Sequence, residues 1–384
     1  MIIRKLRPDE RAKNVKLMGI AFNYPVDTAS LEGQTLYDNV IGAFCDDGET
    51  LMAQIYLEYY MSRLGNASLE ALGIAGVSSA PEFRRSGAIR AIFNKILAES
   101  NCAVSYLYPS SYDYYSKFGF ATVMEVKGIT YPISLIRQPV WRNAVLCDDS
   151  SYLPELLSIY GDYSKEYDVI FERSDGSKYD FDPHSSKNLT YLIKDENGRG
   201  IAYVKLKLNG KNMFVGELCY RSIDALRKTL GFLRLFEGQA DKAEFFGIPE
   251  NSPLTLLLSE KNSAETLLYG SAMGRILDVE RVLSAAKYPE TAGAFSVKVI
   301  DPIVEKNNAV FDVEYCGNYA EVSVRDGGEY DLSLDIADLS RVVLSGYRFT
   351  ELTVNALESL QVKGSVEDFL AAFPGKSVAL HDHF

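Results

Sequence analysis

The chain has 384 residues, 47% apolar and 24% charged, with a formal net charge of −12 at pH 7. That length exceeds one ordinary core and predicts two or three domains of a soluble globular protein. No run approaches the roughly 20 apolar residues that span a bilayer, residues 1–8 carry no apolar stretch of a signal peptide, and acidity without a basic face argues against binding nucleic acid through phosphates.

Residues 1 to about 140 read as alternating strands and helices. Met52 to Met61 opens with period-two alternation and predicts a strand. Ala71 to Ser78 is a second, short apolar strand whose Gly73 and Gly76 permit a bulge or a close backbone approach. After a Pro81 turn, Ile89, Ile92, Phe93, Ile96 and Leu97 recur at helical spacing, so one face of that helix is buried. Arg84-Arg85-Ser86-Gly87 stands directly before it. Such a loop leaves backbone N–H groups free at a helix N-terminus, suited to a pyrophosphate, with a glycine for close approach and arginines to pair with phosphate oxygens. Further on, Ser110 to Phe120 holds Tyr112, Tyr114 and Tyr115 just before Phe118-Gly119-Phe120.

Past Pro132 and Pro139 the pattern restarts. Tyr152 to Tyr167 and Asp224 to Glu237 predict helices, Gly200 to Leu208 a strand, and Asp195-Glu196-Asn197-Gly198 a hairpin turn. This stretch has the character of a second copy of the first, without a residue-level repeat and without an R-x-x-G loop. From about 290, Ser296–Ile300, Ala309–Val313 and Tyr319–Val324 alternate as strands. Ile336–Leu344, Asn355–Leu360 and Val366–Phe373 then predict helices, the order of a small α+β domain. Five scattered cysteines without a CxxC pair fit a reducing compartment, and three histidines, of which only His381 and His383 are close, make no metal set.

The loop at Arg84, Gly87 and Ile89 resembles the acetyl-CoA loop of the GNAT superfamily, whose pattern is Gln or Arg, two residues, Gly, one residue, then Gly or Ala. Ile89 departs from that pattern but matches the Eis-type (enhanced intracellular survival) acetyltransferases, and the resemblance extends over the chain. It implies a mixed α/β and α+β architecture: a catalytic GNAT domain over 1–140, a degenerate GNAT-like domain over 141–287, and a sterol carrier protein-like α+β domain over 288–384. It implies acetyl-CoA as co-substrate and no metal. Val77, Ser78 and Ser79 would hold the pantetheine arm; Arg84, Arg85, Ser86, Gly87, Ala88 and Ile89 the pyrophosphate; Ser110 and Ser111 would lie beside acetyl-CoA.

Aminolysis of a thioester requires a proton donor for the departing thiolate, and tyrosine, with an ordinary pKa of about 10, stays protonated at neutral pH. The resemblance gives that place to Tyr115. For the base it implies the chain's own terminal carboxylate, at Phe384. His381 and His383 are expected to be solvated tail residues. The implied activity is transfer of acetyl to a primary amine of a cationic acceptor, an aminoglycoside, polyamine or lysine-like group, by a cytoplasmic homohexamer with no nucleic-acid partner and no membrane span. The competing reading is a non-catalytic lipid or ligand carrier that works through its C-terminal domain.

Overall fold

A computed structural model of the chain describes residues 1–25, 39–179, 181 and 188–382. These residues pack as two compact units. One comprises Met1–Val123 with Ala272–Gly375; the other comprises Met124–Ser271 with the tail from Lys376.

The first unit is built on a sheet in the order Ile2–Lys5, Val40–Phe44, Leu51–Leu64, Ala67–Ser79, Val104–Leu107, Met273–Ile276, Ala121–Thr122. The first four strands form an antiparallel meander, and Ala67–Ser79 then pairs in parallel with Val104–Leu107. A parallel pair needs a crossover, supplied by the helix Ala88–Ala98. Its predicted apolar face is the one it buries: Ile92, Phe93, Ile96 and Leu97 pack in one core with Ala53, Ile55, Leu72 and Ile74 of the sheet. Each such side chain contributes about 2 kcal/mol on full burial.

The second unit repeats the pattern strand for strand. Ala144–Leu146, Leu189–Lys194, Gly200–Asn209 and Asn212–Tyr220 form the meander. Asn212–Tyr220 runs parallel to Lys242–Pro249, joined through the helix Ile223–Leu233. The strand after each parallel pair comes from the other half of the chain. Met273–Ile276 enters the first sheet between Val104–Leu107 and Ala121–Thr122, whereas Glu125–Pro132 enters the second between Lys242–Pro249 and Glu265–Gly270. The strand Glu125–Pro132 therefore lies in the second sheet although the sequence pattern breaks only after Pro132 and Pro139.

The remainder of the first unit is a sheet in the order Tyr319–Arg325, Val310–Cys316, Gly293–Ile300, Leu332–Asp335, Gln361–Val362, with the helices Ile336–Leu344 and Glu367–Ala372. The helix expected over Asn355–Leu360 does not form; only a single turn at Val354–Ala356 does. The Ser359 amide is bound to the Asp338 carboxylate at 2.9 Å instead of to a carbonyl one turn back, and the Ser359 hydroxyl accepts from the Asp335 amide at 3.0 Å. A side chain that captures the backbone in this way ends a helix. Among the described residues no helix is long and apolar enough to cross a membrane.

Candidate active site

The site begins at a bulge. Gln54 faces Ser78 and Tyr56 faces Ala75, so Gly76 and Val77 stand together opposite Ile55. Gly76 adopts φ +55°, and a Cβ there would lie 2.5 Å from the Tyr56 ring, so this place requires glycine. On the other side of the same strand, pairing with Val104–Leu107 runs only from Ala71 to Ile74. The partner strand ends at Leu107, opposite Ile74, and beyond it Val77, Ser78 and Ser79 line a cleft of about 520 Å³.

The loop that follows forms the cleft's other wall. Arg85 at φ +65° and Gly87 at φ +87° are both left-handed, which curls the backbone into a tight turn in which the Arg84 and Ser86 amides donate to the Pro81 and Phe83 carbonyls. Gly87 caps the helix Ala88–Ala98 without a side-chain hydrogen bond, and no acidic residue stands in the first turn. The Ala88 amide meets only the Ser86 hydroxyl, at a long 3.4 Å. The next amides of the turn are left over by helix geometry. A Cβ on Gly87 would meet nothing within 4 Å, so the space above that backbone is open. Arg84, Arg85, Arg90 and Lys117 all line the cleft, and none is ion-paired among the described residues. Four uncompensated cations in a chain of net charge −12 mark a local anion site.

The same position in the second unit is built differently. The Ser222 hydroxyl accepts from the Ala225 amide at 3.1 Å, and Asp224 sits in the first turn of Ile223–Leu233. An occupied amide and a carboxylate at the helix's positive end oppose an anionic ligand.

Tyr115 lies in the short helix Tyr112–Ser116 and is 5% exposed, whereas Tyr112 and Tyr114 are 39% and 37% exposed. Its ring meets Phe93 edge-on at 6.0 Å and Tyr114 at 5.3 Å. Burial pushes the phenol above its ordinary pKa, partly offset by a hydrogen bond with Ser110. A phenol so placed is protonated at neutral pH and able to give its proton to a departing thiolate.

The cleft thus gathers Val77, Ser78, Ser79, Arg84, Arg85, Ser86, Gly87, Ala88, Ile89, Ser110 and Tyr115. Ser111 is absent from that lining and caps the Tyr112–Ser116 helix instead. Phe83, Arg90, Tyr114, Lys117 and Phe118 line it as well and were not among the expected site residues. Arg90 was findable: it lies one helical step beyond the loop, on the same side as the free amides.

Phe384 and His383 lie outside the described residues. The tail before them is tied to the second unit: the Asp168 amide donates to the Ser377 carbonyl at 2.9 Å, and the Ala379 amide donates to the Asp168 carbonyl at 3.1 Å. Asp382 is 2.9 Å from the Arg173 guanidinium. His381, expected in solvent, is half-buried with its ring 5.6 Å from Tyr163, and desolvation lowers its pKa. The expectation failed because the apolar Val378, Ala379 and Leu380 draw the tail into the interior.

Comparison with known proteins agrees with this anatomy. Residues 2–123 match the acetyltransferase (GNAT) domain family, and residues 279–380 the sterol carrier protein domain family. No curated protein matches the chain by sequence. Among solved structures, a GCN5-related N-acetyltransferase from Anabaena variabilis is 20% identical, with TM-score 0.86 over 100% of both chains. Eis1 from Mycobacterium abscessus is 20% identical, with TM-score 0.81 over 100% of both. A probable N-acyltransferase from Enterococcus faecalis is 19% identical, with TM-score 0.83 over 100% of this chain and 99% of that one. The chain therefore carries an acetyltransferase domain of the GNAT family over residues 2–123 and a sterol carrier protein domain over residues 279–380, joined in the whole-chain fold that Eis1 also has.

Proposed function

We propose that the protein transfers acetyl from acetyl-CoA to a primary amine of a cationic acceptor. The observation that carries this reading is one cleft holding four unpaired cations, the uncapped Gly87 turn and the buried Tyr115. The residues present fit the co-substrate. The turn from Arg84 to Ile89 offers amides and guanidinium groups to phosphate oxygens, and the strand at Val77 to Ser79 offers backbone N–H and C=O groups to the amides of a pantetheine arm. Acetyl-CoA supplies the activated acetyl group as a thioester. Tyr115 donates its proton to the sulfur as the C–S bond breaks and the C–N bond forms, and the amine's surplus proton passes to a base.

For that base we propose the carboxylate of Phe384. An ordinary terminal carboxyl has a pKa of about 3.3 to 3.7, too low to deprotonate an alkylammonium unless desolvation raises it or water relays the proton. Adding one Gly after Phe384 displaces the carboxylate by about 3.5 Å without altering a side chain. The extension should lower kcat on the order of 100-fold, and a tagged terminus with full turnover would place the base elsewhere.

The acidic balance of the chain, with 52 acidic against 40 basic residues, favours an acceptor with several positive charges. A homo-oligomer in the cytoplasm belongs to the same proposal. The carrier reading loses support from the C-terminal domain's interior, where Phe295, Phe369 and Phe373 pack at 5.3 to 6.1 Å with Tyr315 and Tyr288 beside them. Rings so arranged pack closely in that part of the interior.

The test is a direct one. The protein should bind acetyl-CoA by calorimetry and release free thiol when polyamines, aminoglycosides or lysine peptides are added, with acetylated products seen by mass spectrometry. Gly87→Leu, strained at φ +87° and projecting into open space, should abolish that binding and leave the fold intact. A folded Gly87→Leu protein with unchanged acetyl-CoA affinity would remove the cradle from the proposal.

A further inference from the structure

Arg275 is the largest fully buried side chain among the described residues, and the proposed chemistry does not use it. It enters the first sheet on the inserted strand Met273–Ile276, opposite Ser105. Its Nη2 donates to both oxygens of Asp301, at 2.6 and 2.8 Å, and Asp301 is equally inaccessible. Its Nη1 donates to the backbone carbonyl of Phe118. Phe118 and Phe120 in turn donate their amides to the carbonyl of Tyr115, at 3.0 and 3.4 Å. A continuous chain of polar contacts thus runs from the Asp301 carboxylate through the Arg275 guanidinium and the Phe118 peptide to the backbone of Tyr115.

Three further features fix this chain in place. Gly119 adopts φ +77°, and a Cβ there would lie 1.8 Å from Arg275 Nη1, so the turn after Tyr115 is shaped around the guanidinium. Phe118 stacks on Phe93 at 4.3 Å, which ties the same turn to the helix that begins at the Gly87 loop. Asp301 is held by the amides of Ile303 at 2.9 Å and Val304 at 3.0 Å and by the Asn307 side chain at 3.0 Å. Its orientation therefore belongs to the C-terminal domain, whose strand Gly293–Ile300 it directly follows. Hydrogen bonds in such a chain polarise one another in a low-dielectric interior.

We propose that Arg275 and Asp301 are positioning residues for Tyr115, and that the C-terminal domain serves acetyl transfer by holding this pair under the Tyr115 turn. The proposal rests on the reading of Tyr115 as the proton donor. It gives the C-terminal domain a part in the reaction that needs neither a ligand of its own nor contact with acetyl-CoA.

Removing one partner alone would strand the other as an unpaired buried charge, and such a variant could fail to fold. The informative variant is Arg275→Met with Asp301→Asn. It removes both charges and the donor to Phe118, while the Asn carbonyl still accepts from the Ile303 and Val304 amides. Two readouts are taken on the full-length protein: hydrogen exchange of peptides spanning 112–122, and turnover of acetyl-CoA with spermidine as the probe amine. We expect a folded protein with acetyl-CoA affinity by calorimetry within about threefold of the parent. Exchange should be faster in 112–122 and not in 88–98, and kcat should fall on the order of 100-fold, the cost of a misplaced reacting group. Adding Tyr115→Phe to this variant should cost much less than it costs the parent, because the two changes remove one function. Unchanged exchange in 112–122 overturns the proposal, as does exchange that accelerates equally across the first unit with acetyl-CoA affinity lost. If Tyr115→Phe is silent in the parent while 112–122 still opens in the double variant, it is the reading of Tyr115 that fails, and the pair still positions this turn.

Discussion

Tyr115→Phe should lower kcat by about 10²- to 10⁴-fold, the usual contribution of a general acid, and leave acetyl-CoA affinity unchanged. The substitution removes one oxygen and keeps the ring. The edge-on contact with Phe93 at 6.0 Å and the burial within the first core both survive. The pH profile gives a second, independent readout. A general acid must be protonated to work, and burial has moved the Tyr115 phenol above its ordinary value of 10.0. Activity that depends on it should therefore hold through pH 9 and fall only above about pH 10. In the Phe variant that alkaline limb should vanish along with most of the rate. Tyr114→Phe is the control, because Tyr114 lines the same cleft but is 37% exposed. Its loss should change kcat by less than threefold. If Tyr114→Phe is the damaging change and Tyr115→Phe the mild one, the proton donor is one residue away.

The contrast between those neighbours shows where the sequence was legible. The strand–loop–helix unit beside the cleft could be read because its parts are consecutive: strand, Pro81 turn, Arg84 to Gly87, amphipathic helix. Local rules of capping and periodicity suffice for such a unit, and the bulge at Gly76 was visible for the same reason. Spacing could not separate Tyr115 from Tyr112 and Tyr114, since a five-residue helix points successive side chains to every side. Only the resemblance to a known family chose among them. The exchanged strands Glu125–Pro132 and Met273–Ile276 were illegible in principle, because alternation tells which face a residue takes and not which sheet receives the strand. Arg275 shared that obscurity. Its partners Phe118 and Asp301 are 157 and 26 residues away, and a lone arginine in a strand carries no signal that it is buried. His381 was misjudged by position: chain ends are usually loose, but this one is drawn in by apolar neighbours and by Asp382.

The second large effect is expected at Arg173, where Arg173→Met should cost the second unit about 3 to 5 kcal/mol. Arg173 donates to Glu217 through Nη1 at 2.9 Å and Nη2 at 2.8 Å, and through Nε to Asp382 at 3.0 Å. All three side chains are 5% exposed or less. The Tyr160 ring covers the guanidinium at 4.0 Å. Methionine keeps much of the volume but removes the cation that the two buried carboxylates share; Lys205 lies 3.6 Å from Glu217. In a unit of this size the loss corresponds to a fall in Tm on the order of 10 °C.

The pH dependence distinguishes lost charge pairing from lost packing. Burial alone would raise the Glu217 pKa, but the charge and hydrogen bonds of Arg173 outweigh it and hold the carboxyl far below the usual range. A depressed folded-state pKa contributes stability above the unfolded value of about 4.3, and that stability is lost as pH falls through the folded value. Without Arg173 the depression disappears, and protonation of Glu217 relieves the variant. The stability gap between parent and Arg173→Met should therefore be widest near pH 7 and narrow steadily below about pH 4.5. A gap of equal size at both pH values would mean that Arg173 stabilises by filling space. Because Asp382 shares the guanidinium, the variant should also loosen the tail at neutral pH, with faster hydrogen exchange at Val378 to Leu380 than in the strand Asn212–Tyr220. Protection at those tail amides that matches the parent would show that the Asp168 backbone pairing alone holds the chain's end in place.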